Sequence, residues 1–88
     1  MNTSTEAIRL LEQALQSARA AQTTINDLIV EHDYQDVALL VTQAAVSMLE
    51  SASLLMQSQD EAALNALDAA DDLLDAVYNI IDGETDED

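Results

Sequence analysis

Between Met1 and Asp82 the chain contains no proline and no glycine. Neither of the residues that most strongly break a helix is therefore available to interrupt one. Apolar side chains recur along this stretch at three- and four-residue steps, the period of one helix face. A chain of this kind folds by laying helices against one another, and the expected class is all-α.

The spacing predicts three helices. The first covers about residues 3–30, with Ile8, Leu11, Leu15, Ala18, Ala21, Ile25, Leu28 and Ile29 forming its apolar stripe. Thr3 and Glu6 have the spacing of a capping box at its start, and Arg9 and Glu12 can pair one turn apart. Glu31-His32-Asp33 interrupts the pattern and reads as a tight connection, with Asp33 as the cap of a second helix over about 34–57. That helix carries only Asp36 and Glu50 as charges, and apolar residues surround it almost completely. Such a helix sits centrally in a bundle or in an oligomer interface. Leu39, Val46 and Leu54 fall away from its main stripe and are the candidate dimer seam. Ser58 and Glu61 have the spacing of a second capping box, opening a third helix over about 59–82. Gly83 is placed to end it in a left-handed conformation.

Short connections between helices of this length predict an antiparallel up-down-up bundle over residues 1–83, one small domain, followed by a disordered acidic tail over 84–88. The core is alanine-rich, so each contact buries little area. A chain of 88 residues gains from association with a second copy.

The formal net charge is −16, from 18 acids against two arginines and no lysine. This balance excludes direct binding to nucleic acid or to anionic lipid, because such binders need cations to displace counterions. No apolar run has the ~18 residues expected of a bilayer span, and the N-terminus lacks a basic signal region, so the expected location is cytoplasmic with no membrane partner.

Catalysis and cofactors are not expected. With no cysteine, no lysine, one histidine in a connection and no glycine-rich loop, the chain offers no nucleophile–base pair and no phosphate cradle. Asp68, Asp71, Asp72 and Asp75 diverge from a single helix face and cannot surround a cation, so no metal site is expected. If the tail around Gly83 were an EF-hand loop, Tyr78 and Ile80 would fall at ligand positions, which excludes that motif.

The distribution of charge is more informative than its total. Residues 1–32 hold four acids, residues 33–58 three, and residues 59–88 eleven. On a helical wheel Glu61, Asp68, Asp71, Asp72, Asp75 and Asp82 gather opposite the apolar side of the third helix, with Leu64 among them as a candidate apolar anchor. Asp68/Asp72 and Asp71/Asp75 are repelling pairs at i,i+4, each costing a few tenths of a kcal/mol. Aspartate is also a poor residue in a helix interior. A stripe this unfavourable suggests an external cationic partner.

Seven acids between Asp60 and Asp82 span ~33 Å at the helical rise, a spacing of the same order as the ~3.4 Å between phosphates along one DNA strand. The expected function is non-enzymatic: an acidic protein that occupies a basic surface, such as the nucleic-acid site of a DNA- or RNA-binding protein. This is the strategy of DNA-mimic inhibitors from phages and mobile elements, to which the likeness is one of charge and size alone. Two other expectations stand beside it. One is a small helical adaptor or chaperone that holds a partner helix through the apolar second helix. The other is a structural homodimer whose acidic face is merely solvated, as in halophilic surfaces, although those spread acids over every exposed face.

Overall fold

A computed structural model describes residues 3–85. The chain is all-α in these residues, with three helices: α1 (Ser4–Asn26), α2 (Gln35–Met56) and α3 (Asp60–Thr85). Met1, Asn2 and the tail residues Asp86, Glu87 and Asp88 lie outside the described part.

α1 begins as its sequence predicts. Thr3 is the N-cap in extended conformation, and its Oγ1 accepts from the Glu6 backbone N–H at 3.2 Å. This satisfies one of the amide donors that every helix leaves without a partner at its start. The helix ends at Asn26, earlier than the apolar periodicity implies. The cause lies in its last turns. The hydroxyls of Thr23 and Thr24 donate to the carbonyls of Arg19 and Ala20 at 3.1 and 3.0 Å. Such back-bonding, together with β-branching at Thr23, Thr24 and Ile25, weakens the helix where Asn26 and Asp27 follow. Leu28, Ile29 and Val30 consequently lie in the connection rather than on the stripe, with Ile29 98% exposed.

The connection is held by Gln35, whose Nε2 donates to the Ile25 carbonyl at 2.8 Å and whose Oε1 accepts from the His32 N–H at 3.2 Å. One amide side chain thus ties the end of α1 to the start of α2. Asp33 is not the cap. The N-cap is Tyr34, which makes no side-chain cap bond, and the turn is closed by the Gln35 N–H donating to the His32 carbonyl.

The turn between α2 and α3 also departs from its sequence reading. Ser58 does not open a capping box on α3. It sits at φ 62° beyond the α2 C-cap Gln57. The Ser58 N–H donates to the Leu55 carbonyl and the Gln59 N–H to the Leu54 carbonyl. These paired bonds are a Schellman motif, which normally places glycine in the left-handed position. The Gln59 carbonyl already accepts the first bond of α3, from Ala63, so a single residue separates the two helices' caps. A left-handed serine is strained relative to glycine. We expect Ser58→Gly to stabilise the fold by about 0.5–1 kcal/mol in denaturant titration; a destabilised variant would show that the turn has another conformation.

Gly83 does not terminate α3. It lies within the helix, which continues to Thr85, and it has no positive φ. The eight residues before it include two acids, Asp75 and Asp82, but no proline, so nothing local forces a stop there.

α2 is the element on which the other two pack. It contacts both α1 and α3, whereas no Cα atom of α1 lies within 8 Å of α3 among the described residues. On one side of α2, Ala44 and Ser51 are buried, and the Ser51 hydroxyl donates to the Ala63 carbonyl of α3 at 2.9 Å. Ala63, Ala70 and Val77, at seven-residue steps, are the buried face of α3. On the opposite side of α2, Ser53 is buried, Leu39 and Gln43 line a cleft with α1, and Glu50 pairs with Arg19 at 3.0 Å. Both partners of that pair are about half exposed, so its contribution is under ~1 kcal/mol. Arg9 and Glu12 form no ion pair among the described residues, and Arg19 is the arginine that pairs.

The fully buried residues are small, and Leu15 and Val77 are the only large aliphatic side chains among them in the described part. Small side chains bring backbones close enough for Ser51 to reach a main-chain carbonyl, but each removes little apolar surface from water. By length and composition α2 is apolar enough to cross a membrane. This corrects the expectation that no segment is. Its continuity was hidden in the sequence by isolated serines, threonines and glutamines, which raise the polarity of a helix far less than charges do.

Candidate binding site on the third helix

Among the described helices α3 packs against α2 only, which determines what it can present. The side bearing Ala63, Ala70 and Val77 is covered by α2. Glu61, Asp68, Asp71, Asp72, Asp75 and Asp82, the acids gathered by the wheel, are all exposed. The structure brings them together as one face because they share a single uninterrupted helix, and no lysine, arginine or histidine lies on it.

Asp60 and Glu61 sit in the first turn, where a negative charge meets the positive end of the helix dipole. Asp68, Asp71, Asp72 and Asp75 have no such compensation. They stand in the middle of the helix, and the ion pair among the described residues lies elsewhere, between α1 and α2. Their mutual repulsion is relieved only by solvent and salt. Among the described residues no group of three or more histidines and carboxylates is arranged to hold a metal ion. The face offers a line of separate charges rather than a coordination site.

Leu64 lies within this acidic face and is 60% exposed. Tyr78, on the edge of the face, is exposed to the same degree. Leu67 and Ile81 are 41% and 39% exposed, although both belong to the apolar side of the wheel. With α2 as its sole neighbour, the buried strip is narrower than the apolar one. The available signal was the seven-residue repeat of Ala63, Ala70 and Val77, which marks where a backbone approaches closely.

The candidate seam residues Leu39, Val46 and Leu54 are half-buried. Leu39 faces α1, lining a cleft of about 450 Å³ with Arg19, Gln22, Thr23, Asn26 and Gln43. The exposed large apolar residues of α2 are instead Val41, Met48, Leu55 and Met56.

His32 lies in the α1–α2 connection with Glu31, Asp33, Gln35 and Asp36 around a second, polar cleft. Its Nδ1 accepts from the Tyr34 N–H at 3.2 Å, so the ring is engaged in shaping the turn. Among the described residues no serine lines this cleft with it.

Comparison with protein-family models, with curated proteins and with solved structures finds no match to this chain.

Proposed function

We propose that this is a non-enzymatic binding protein that lays α3 on a basic surface of another protein, one that otherwise holds nucleic acid. The observation that supports this reading is the exposed line Glu61, Asp68, Asp71, Asp72, Asp75 and Asp82 on one helix with no cation on it. A rigid helix holds the carboxylates at fixed spacing, so the entropy of arranging them is not lost on binding. The charge density is of the order of a nucleic-acid strand, and Leu64 supplies an apolar contact in its midst. Steering by such a field gives fast association that slows steeply with ionic strength. The biological setting we infer is that of a DNA-mimic inhibitor of the phage or mobile-element anti-defence type, acting in the cytoplasm.

Competition tests the proposal. A basic protein captured at low salt is expected to be released both by duplex DNA and by raising salt to about 0.5 M, where the Debye length falls to ~4 Å. Retention of the partner in excess DNA overturns mimicry.

A second reading, a helical adaptor, is favoured by one specific observation: Val41, Met48 and Leu55 of α2 are 44%, 41% and 51% exposed. A partner held there would survive high salt.

A further inference from the structure

We propose that this exposed side of α2 is a homodimerisation face, on which the same helix of a second copy sits. Its residues are Ala38, Val41, Ala45, Met48, Ala52 and Leu55, spaced by three and four in strict alternation. That is the seam pattern of helices packing at close range, alternating small and large side chains. The seam is distinct from both sides that α2 uses within the chain, since Ser51 and Ala44 face α3 while Ser53 and Leu39 face α1. Because α1 and α3 do not meet, neither closes over it.

Two quantities show that the single chain is more open than a compact domain of its length. Its accessible surface is 6282 Å², whereas a compact monomer of 9.5 kDa exposes about 5,000 Å². The excess is larger than the ~800 Å² that each partner buries in a standard interface. The radius of gyration is 15.4 Å, against about 12 Å for a compact domain of this length.

Charge leaves this strip open to another copy. Two chains of −16 repel wherever their acids face each other. The seam contains no charge; of the two acids on α2, Asp36 lies outside it and Glu50 is paired to Arg19. It is an apolar strip along which two such chains can approach with their α3 faces turned away. A two-fold axis near the middle of the seam sets each alanine opposite a large side chain of the other copy, an isologous contact built from one strip.

The test is the mass in solution by sedimentation, with 0.1 and 1 M salt compared as a matter of design. The wild type is expected to be a dimer that tightens as salt screens the repulsion between copies. This is the opposite salt response to the binding proposed for α3, so the two proposals fail separately. Met48→Glu is expected to raise the dimer dissociation constant by about 100-fold or more, because it sets carboxylates in an apolar contact. Leu64→Glu, on α3, is expected to leave it unchanged. The chain has no cysteine, so Met48→Cys gives a second measure that does not depend on a disruptive change. A short bis-maleimide is expected to join two chains of Met48→Cys and not of Leu64→Cys. A monomeric wild type at both salt concentrations, an undiminished dimer in Met48→Glu, or equal cross-linking of the two cysteine variants overturns the proposal. So does a monomer that co-sediments with phosphatidylcholine vesicles, which would assign the strip to a bilayer.

Discussion

Ala63→Leu is expected to destabilise the protein by about 2–3 kcal/mol, while Ala69→Leu on the same helix changes stability by less than about 0.5 kcal/mol. Alanine and leucine have nearly the same helix propensity, so the difference measures position alone. Ala63 is fully buried against α2. Its carbonyl accepts from the Ser51 hydroxyl at 2.9 Å, which places the two backbones close together. Three additional carbon atoms there must push α2 and α3 apart, breaking that bond and opening the contact along Ala44 and Ala70. Ala69 is exposed, and a leucine there meets water. A domain of this size has about 4–13 kcal/mol of stability in total, so the first variant loses a large share of it. Urea titration of both variants provides the check. Equal effects at the two positions would mean that α2 and α3 are not in alanine-mediated contact.

The second large effect concerns Asp68, Asp71, Asp72 and Asp75 together. Converting all four to asparagine is expected to weaken binding to a basic partner by about 100-fold, on the basis of four exposed charge contacts worth up to ~1 kcal/mol each. The same change is expected to stabilise the free protein slightly. It removes the i,i+4 repulsions Asp68/Asp72 and Asp71/Asp75, each worth a few tenths of a kcal/mol, while asparagine and aspartate have similar helix propensities. Opposite signs for binding and stability are the mark of a face retained for a partner. Thermal unfolding followed by circular dichroism gives the stability, and titration against the captured partner gives the affinity. If affinity is unchanged, this face is not the binding site. If stability falls, the carboxylates are engaged in contacts within the chain.

Much of this architecture is legible in the sequence because it depends on short-range geometry. A helical repeat places Asp68, Asp71, Asp72 and Asp75 on one side whatever packs on the other. Thr3 and Glu6 signal the first cap through their spacing, and the structure contains the expected Thr3–Glu6 bond. The helix ends are less legible because different local bonds compete at them. Thr23 and Thr24 turn their hydroxyls onto the preceding turn and α1 stops short of Leu28. Ser58 fits a capping box by spacing, yet the Schellman bonds to Leu54 and Leu55 take it into the left-handed region. Gly83 fits a helix stop, yet α3 runs on through it to Thr85.

The sequence by itself determined that the chain forms three helices, that the middle one is almost uncharged and that the acids line one side of the last. Periodicity and composition act over one or two turns and need no knowledge of neighbours. Only the tertiary structure decided which apolar residues are covered. An apolar strip records that a surface can be buried, not how many helices will bury it. Here α1 and α3 each contact α2 and not each other. Leu39 therefore turns inward toward α1, and Val41, Met48 and Leu55 remain exposed on α2. The same pairing limits full burial on α3 to Ala63, Ala70 and Val77 and leaves Leu67 and Tyr78 exposed. A helix packed on one side can keep a charged face clear of its own chain.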